Sequence, residues 1–284
     1  MWGRADPVSF DYAVLGHVTV DILPDGRRRV GGTALYSAIQ AARLGLRTVV
    51  ATRGVAEEVE ALLRPFEDEL ELRVDPAAST TSFETVGVGP SRRQRLGGWA
   101  GEITPGLAPE AGILHMAPVA CEIAAGPWPR AEFVGLTPQG LVRRWEGPGS
   151  PVELGPATPE QEALGERCDA IVLSAEERDS CRGLVARGLH GGAVVAVTAG
   201  AEGGTLLLPD GTETAIGGPR VPEPADDLGA GDVFAAAMFV ELWGGAPAER
   251  AAAFAAAAAA VRLEGRGPQA IGDRAAIEQR LRAA

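Results

Sequence analysis

A carboxylate and two glycines stand at the predicted start of an apolar helix near the carboxyl-terminal end of the chain. The segment reads DDLGAGDVFAAAMF, with Gly229, Ala230 and Gly231 directly before Asp232. If the helix begins at Gly229 or Ala230, its first backbone N–H groups and its dipole form a site for an anion. The glycines lack a Cβ atom and leave that site open. Asp232 then suits a general base acting on a hydroxyl that attacks a phosphate.

The same residues also have a purely structural interpretation. Asp226 or Asp227 could cap the helix, because Asp is favoured at the N-cap. Asp232 would then be an acidic residue of the first turn that interacts favourably with the helix dipole. The segment alone leaves both interpretations open.

A second glycine-containing motif follows a predicted strand. The segment VTAGAEGG contains Thr198, Gly200 and Gly203 in the pattern TxGxxG. A hydroxyl and a flexible loop after a parallel strand suit contact with nucleotide phosphates, which bind at the carboxyl ends of strands. The alternative is an ordinary glycine-rich turn.

Near the amino-terminal end, Asp21 lies beyond the first predicted strand, and Gly31 and Gly32 precede a helix. Asp21 could bind the hydroxyl groups of a substrate, and the two glycines would let a small ligand approach the backbone. The alternative for Asp21 is a turn residue.

The elements that must position these residues alternate between strands and helices. Buried strands are predicted at 10–16, 47–52, 113–119, 132–136, 170–174 and 193–198. Helices are predicted at 33–45, 59–70 with an interruption near Pro65, 175–187, 230–243, 248–263 and 273–282. Hairpins are predicted at 17–32 and 205–218. This rhythm indicates an α/β fold, with a mostly parallel sheet covered by helices on both faces.

The pattern changes between Ser79 and Ile103, where polar and apolar residues alternate and helix formers are few. With the hairpin near the amino terminus, this segment is predicted to form a small accessory sheet. There is no internal repeat and no long linker, so 1–284 is interpreted as a single domain.

Composition excludes several classes of function. The net charge of −12 argues against nucleic acid or an anionic membrane as the main partner. The chain has no lysine, which excludes a GxxxxGK[ST] P-loop and Schiff-base chemistry. Its three cysteines form no CxxC pair and its three histidines are scattered, which disfavours structural zinc. No GxGxxG follows a strand, which disfavours a nucleotide-dependent oxidoreductase.

Neither a signal peptide nor a membrane helix is apparent. The start MWGRADPVSF lacks an apolar core, and the longest apolar stretch, residues 251–261, is alanine-dominated and shorter than a membrane span requires. A cytoplasmic location is therefore expected.

In their order, these motifs resemble the ribokinase-like (PfkB-type) carbohydrate kinases over about residues 10–282. That family has an early strand with a substrate Asp, a GG-led helix, lid strands, N-x-x-E, T-x-G-x-x-G and D-T-x-G-A-G-D. Here the corresponding segments are GHVTVD, GGTALYSA, SAEE, TAGAEG and DDLGAGD.

The resemblance implies a doubly wound α/β domain that binds ATP and Mg²⁺, with a β-sheet lid formed by about 18–31 and 79–103. It implies that Asp232 is the catalytic base. The other implied roles are an anion hole of backbone N–H groups from Gly229, Ala230 and Gly231; nucleotide contacts by Thr198, Gly200, Gly203 and Ser174; and a magnesium site, reached through water, at Glu177 and Asp226.

On the acceptor side, the resemblance and the residue types give a set of predicted contacts: Asp21, Gly31, Gly32, Tyr36, Arg95 and Gln139. Arg95 is the one of Arg92, Arg93 and Arg95 that is kept as a contact. Arg143 or Arg144 could contact the acceptor for the same reason as Gln139. Lid strands often pair subunits in this family, so a homodimer through the lid is consistent with the resemblance.

Three positions depart from the family pattern. Asp227 stands at the Thr of D-T-x-G-A-G-D, Ser174 at the Asn of N-x-x-E, and Tyr36 where many sugar kinases of the family have a substrate-binding Asn. Tyr36 indicates a different or more apolar substrate pocket.

The sequence therefore predicts a kinase that transfers the γ-phosphoryl group of ATP to a hydroxyl of a small sugar, polyol or nucleoside. Neither nucleic acid nor a membrane is expected as a partner. The alternative is a non-catalytic ribokinase-fold protein that binds such a ligand. The departures at Asp227 and Ser174 keep that alternative open, whereas the retained GAGD favours the enzyme.

Overall fold

The structure, a computed structural model, describes residues 10–87, 93–124, 126–219 and 221–283. Its strands are β1 (Phe10–Leu15), β2 (Thr19–Ile22), β3 (Arg28–Gly31), β4 (Thr48–Gly54), β5 (Leu70–Pro76), β6 (Ser82–Val86), β7 (Arg93–Gly98), β8 (Ala111–Met116), β9 (Ala131–Leu136), β10 (Arg143–Arg144), β11 (Glu153–Leu154), β12 (Ala170–Ser174), β13 (Val194–Thr198), β14 (Gly204–Leu207) and β15 (Glu213–Ile216). Its α-helices are α1 (Thr33–Arg43), α2 (Ala56–Leu63), α3 (Pro159–Glu162), α4 (Arg182–Gly191), α5 (Ala230–Trp243), α6 (Ala248–Leu263) and α7 (Arg274–Ala283).

Nine of the strands in these ranges form one sheet, in the order β15-β14-β13-β12-β9-β8-β1-β4-β5. The pairs from β13 to β5 are parallel, and only β14 and β15 run antiparallel to their neighbours. Because parallel strands share a direction, their carboxyl ends lie at one edge of the sheet, where such folds bind ligands. The predicted fold class is confirmed.

A small sheet lies apart from the large one and consists of β3-β2-β6-β7, in that order. Strands β2 and β6 pair in parallel, and the two outer pairs are antiparallel. The hairpin 19–31 and the segment 82–98 thus meet although some fifty residues separate them along the chain. The same segments were predicted to form a lid, and that role stays a prediction.

Helices cover both faces of the large sheet because side chains of a strand point alternately to its two faces. On β1, Tyr12 and Val14 belong to the apolar cluster beneath α1, α5 and α6. Ala13 and Leu15 belong to the cluster on the opposite face, which includes Leu184 of α4. Alanines of α6 are buried and let this helix pack closely against α5.

Several elements differ from the prediction, among them β5 and α4. Strand β5 was not predicted; it is an edge strand in which Leu70, Leu72 and Val74 alternate with charged residues. The helix predicted at 175–187 begins at Arg182, because residues 175–181 form successive turns. Within these turns, the Glu177 carboxylate accepts a hydrogen bond from the Ser174 N–H.

No helix within the described ranges is long and apolar enough to cross a membrane.

One glycine of the sheet is needed for the packing of α5. A Cβ atom at Gly135 of β9 would lie 2.4 Å from two ring carbons of Phe239, which is fully buried. Such contacts are shorter than carbon atoms tolerate, so the helix would have to move away from the sheet.

We expect Gly135→Ala to lower the free energy of unfolding by about 1–3 kcal/mol, since it overpacks the interface between β9 and α5. Urea denaturation measures this. The control is Gly147→Ala, where a Cβ would meet no described atom within 4 Å and the expected change is within about 0.5 kcal/mol. Equal stabilities of the two variants would contradict the packing argument.

Candidate active site

A cavity of about 280 Å³ lies at the carboxyl ends of the parallel strands. Elements from both sheets line it. The large sheet and its loops contribute Ser174, Glu177 and Thr198; the helix starts contribute Gly32, Thr33, Tyr36, Gly229, Gly231 and Asp232; the small sheet contributes Thr19, Asp21, Phe83 and Gln94; and the segment after β9 contributes Gln139 and Arg143.

The N-terminus of α5 opens into this cavity. Gly229 is the N-cap in a left-handed conformation with φ of 78°, and no described side chain caps the helix. The first full-turn backbone bond runs from the Val233 N–H to the Gly229 carbonyl. The N–H groups of Gly231 and Asp232 come before that bond and have no carbonyl one turn earlier within the helix. The Ala230 N–H makes a long contact of 3.5 Å with the Asp227 carbonyl, and Ala230 does not line the cavity.

Gly229 is required by its contact with Tyr36 as well as by its conformation. A Cβ atom there would lie 2.2 Å from the Tyr36 ring. The Tyr36 side chain is fully buried, and its hydroxyl has no hydrogen-bond partner among the described residues. Burial raises the pKa of Tyr36 to about 12, against the nearby positive charge of Arg262, which lowers it. Tyr36 is therefore an uncharged, buried side chain that packs beneath Gly229.

Asp226 lies elsewhere than predicted. Instead of lining the cavity with Glu177, its carboxylate accepts hydrogen bonds from Arg262 at 3.0 Å, Arg29 at 3.2 Å and the N–H groups of Leu228 and Gly267. Although burial raises the pKa of Asp226, these N–H groups and the two arginines hold it below its ordinary value. A carboxylate already paired with two cations is a poor magnesium ligand, so the structure corrects this assignment.

Glu177 does line the cavity, and its carboxylate accepts the Ser174 N–H at 2.9 Å. Burial raises the pKa of Glu177 and outweighs the Ser174 hydrogen bond and the Arg143 charge, which lower it. Across the described chain, no three His, Cys, Asp or Glu side chains cluster as a metal site. A magnesium ion at Glu177 would therefore need water and phosphate oxygens as its other ligands, as this ion commonly takes.

The TxGxxG motif is only partly in the cavity. Thr198 lines it, whereas Gly200 and Gly203 do not. A Cβ atom at Gly203, whose φ is 86°, would lie 2.1 Å from the Ile216 carbonyl oxygen. The β14–β15 hairpin thus explains this glycine without any ligand.

The predicted acceptor residues mostly come together. Asp21 is 3% exposed and lines the cavity with Gly32 and Gln139. Gly31 does not line it, but a Cβ there would lie 2.8 Å from the Asp21 Oδ2, so this glycine leaves room for the carboxylate. The Gln139 amide donates to the hydroxyl of Thr33, the first residue of α1, at 2.6 Å. This bond holds the Gln139 side chain against the start of that helix.

Arg95 lies outside the cavity and donates to the Gly149 carbonyl at 3.0 Å, while its neighbour Gln94 lines the cavity. Strand alternation explains this, because Gln94 shares its face of β7 with the buried Leu96. The alternation was visible in RQRLGG and could have identified Gln94. Arg92 lies outside the described residues.

Arg143, which the sequence indicated only alongside Arg144, is the cavity's arginine. Its guanidinium donates to the Val119 carbonyl at 3.0 Å and to the Gln139 Oε1 at 2.8 Å. Burial lowers the pKa of Arg143, and the surrounding carboxylates of Glu177, Asp232, Glu122 and Asp21 oppose that shift by stabilising its charge. One cation thus lies among several carboxylates, and the cavity is acidic overall.

Comparisons with known proteins concern the family and the fold. A family model described as pfkB family carbohydrate kinase matches residues 160–274. None of the curated proteins matches the chain. The predicted resemblance is confirmed, and phosphotransfer to an alcohol group, the enzyme class that was predicted, is that of the matched family.

Solved structures share the fold. A pyrophosphate-dependent kinase in the ribokinase family, complexed with a pyrophosphate analog and myo-inositol, superposes with a TM-score of 0.73 at 23% identity, covering 90% of this chain and 96% of that one. Arabidopsis thaliana ribokinase complexed with ribose and ATP gives 0.69 at 18% identity, covering 96% and 98%. The Methanocaldococcus jannaschii nucleoside kinase gives 0.69 at 16% identity, covering 96% and 99%.

The raised pKa of Glu177 makes stability depend on pH. Its folded-state pKa exceeds the unfolded value, so the stabilisation it gives is complete below the ordinary glutamate pKa and is lost as pH rises through the folded pKa. We expect Glu177→Gln to be more stable than the original chain at pH 7, and the two to converge near about pH 4. Denaturant unfolding at both pH values measures this.

The matched control is Glu176→Gln, at the exposed neighbouring position. As an exposed substitution, it should change the free energy of unfolding by no more than about 0.5 kcal/mol. A Glu177→Gln variant that is less stable at pH 7 than at pH 4, relative to the original chain, would contradict the assignment.

Proposed function

From this family match we propose that the chain is a kinase that transfers a phosphoryl group to a hydroxyl of a small sugar, polyol or nucleoside, with ATP as the donor. The observation that carries the proposal is the meeting of two features in one cavity. The N-terminus of α5, without a side-chain cap among the described residues, opens there, and the Asp232 carboxylate lines the same space. An anion site next to a base suits phosphoryl transfer and has no obvious use in a protein that only binds a ligand.

In the proposed reaction, Asp232 accepts the proton of the acceptor hydroxyl as that oxygen attacks the terminal phosphorus. The backbone N–H groups at Gly229, Gly231 and Asp232, with the dipole of α5, stabilise the charge on the transferred group. Removing one such preorganised donor typically costs about 2.7–4 kcal/mol of transition-state stabilisation. Positioning and electrostatics account for most of the catalysis, so a chain without lysine can perform it.

Magnesium, when bound, would neutralise the phosphate charges. Glu177 would hold it through water, and the carboxylate of Asp227 lines the same cavity. Thr198 and Ser174, at the ends of β13 and β12, would lie along the donor phosphates. The proposal is not extended to Asp226, whose charge is balanced by arginines.

The acceptor would lie between Asp21, Gln94 and Gln139, under the small sheet, which would act as its lid. The cavity carries the carboxylates of Asp21 and Asp232 on this side. A neutral polyhydroxy compound suits these acceptors of hydrogen bonds better than a phosphorylated or carboxylated one. A homodimer through the small sheet belongs to the same proposal.

We expect Asp232→Asn to lower kcat by about 10²–10⁴-fold, because the acceptor hydroxyl loses its base, with the acceptor KM nearly unchanged. Donor consumption with Mg²⁺ against a panel of sugars, polyols and nucleosides measures this. Both ATP and pyrophosphate serve as donors in the panel, because fold neighbours are described with each. The matched control is Asp179→Asn, an exposed carboxylate with the same charge change, which should keep full activity.

Turnover with pyrophosphate alone would uphold the kinase and correct the donor. If no donor is consumed, but calorimetry shows an acceptor binding equally well to the original chain and to Asp232→Asn, the non-catalytic alternative holds.

A second variant separates the anion hole from the fold. At Gly231 a Cβ would meet no described atom within 4 Å, and the backbone is compatible with alanine. We expect Gly231→Ala to fold with at least the original stability, yet to lose most of its kcat, because the methyl group enters the space of the phosphate. Thermal unfolding and turnover measured on the same sample decide; unchanged turnover would rule out an anion at this helix end.

A further inference from the structure

A fully buried arginine contacts the loop 226–229 from outside the cavity. Arg262, on the last turn of α6, is 0% exposed. Its guanidinium donates to the Leu228 carbonyl at 2.6 Å, the Asp226 Oδ2 at 3.0 Å and the Gly265 carbonyl at 3.0 Å. It also lies over the Tyr36 ring, 5.4 Å from the centroid.

Burying a charged group is costly unless it is paired and hydrogen-bonded. Here one guanidinium collects a carboxylate and two carbonyl oxygens, which come from two separate loops. Leu228 and Asp226 belong to the loop that leads into α5, and Gly265 follows α6. The planar fork of an arginine suits several acceptors at fixed angles, as a lysine ammonium does not.

Arg262 binds the carbonyl of Leu228, the residue directly before Gly229, which is the left-handed N-cap of α5. Leu228 directly precedes Gly229, and the Tyr36 ring under Arg262 is the surface that Gly229 packs against. Without the guanidinium, the Leu228 carbonyl would lose this donor, and the Asp226 carboxylate would keep one cation, Arg29, beside the N–H groups of Leu228 and Gly267. The direction in which the first N–H groups of α5 point then depends on a weaker set of contacts.

We propose that Arg262 is a positioning residue that, as a built-in cation, fixes the loop 226–229 and thereby aims the N-terminus of α5 at the transferred phosphoryl group. The proposal rests on the proposed kinase function for its effect on rate, but not for its effect on the loop. Arg262 does not line the cavity and does not touch the substrate. It acts through Leu228 and Asp226.

The chain offers a matched control in Arg43 of α1. Its guanidinium also binds a carboxylate, Glu69, and loop carbonyls, among them those of Gln269 and Ile271. None of its described hydrogen bonds reaches the loop 226–229. Loss of Arg43 should therefore cost stability without disturbing the direction of α5.

The experiment compares Arg262→Ala, Arg262→Lys and Arg43→Ala with the original chain by hydrogen exchange and by turnover. We expect exchange within 226–233 to accelerate at least about tenfold in Arg262→Ala and to stay unchanged in Arg43→Ala. We expect kcat of Arg262→Ala to fall about 100-fold, since a displacement of about 1 Å has that effect, with the acceptor KM little changed. Arg262→Lys should lie between, because it keeps the charge and loses the fork.

Chemical rescue separates positioning from a general loss of stability. Millimolar guanidinium ion, far below denaturing concentrations, should restore part of the kcat of Arg262→Ala, whereas the same concentration of sodium chloride should not. Rescue absent in Arg262→Ala, with exchange in 226–233 equal to that of Arg43→Ala, would overturn the proposal.

Two outcomes are kept distinct. If the original chain consumes no donor, the proposed function fails, and the exchange of 226–233 alone decides whether Arg262 holds the loop. If Arg262→Ala does not fold, Arg262→Lys carries the comparison, and protection equal to that of the original chain, with full kcat, would refute the role assigned to the guanidinium.

Discussion

The start of α5 must face the cavity without a side-chain cap, and the surrounding structure depends on that constraint. A serine or aspartate cap would supply about 1 kcal/mol of stability but would occupy the N–H groups that an anion needs. Asp226, which could have been that cap, turns away and binds Arg262 and Arg29 instead. The left-handed Gly229 then lets the loop pass over the Tyr36 ring. The loop before this helix is thus stabilised through Arg262 and Arg29, which do not line the cavity. At the helix start itself, no described side chain forms a cap.

Electrostatics explain how an acidic chain can offer a phosphate site. The net charge of −12 and the carboxylates of the cavity both repel anions. Under the proposed function, the attraction for phosphate must therefore be local, from backbone N–H groups, the dipole of α5 and a magnesium ion that Glu177 would hold through water. Arg143 supplies one positive charge, but its hydrogen bonds to the Val119 carbonyl and to Gln139 hold it in the part of the cavity where the acceptor is proposed to bind. Under the proposed function, the acidity that disfavours free phosphate would favour neutral acceptors rich in hydroxyl groups.

Much of the fold was predictable because its strands and helices are patterned by burial. The exceptions have physical causes: β5 is an edge strand with charged residues at alternate positions, and 175–181 is shaped by the Glu177 side chain. In the site, Asp21 and Asp232, which the motifs singled out, line one cavity. The ion pairs of Asp226 were not predictable from the sequence. Its partner Arg262 lies 36 residues further along the chain and reaches Asp226 only because α6 packs beside this loop.

Asp226 also connects the small sheet to helix α6. Its Oδ2 accepts from Arg29 of β3 and from Arg262 of α6, so the small sheet and α6 share one carboxylate of the loop that leads into α5. An exposed ion pair would contribute little to such a link, but this carboxylate is only 10% exposed and its pKa is held low. Moving the small sheet away would leave a buried charge with fewer partners. Under the proposed function, Asp226 would therefore couple the lid on the acceptor side to the loop that leads into α5, although it does not line the cavity.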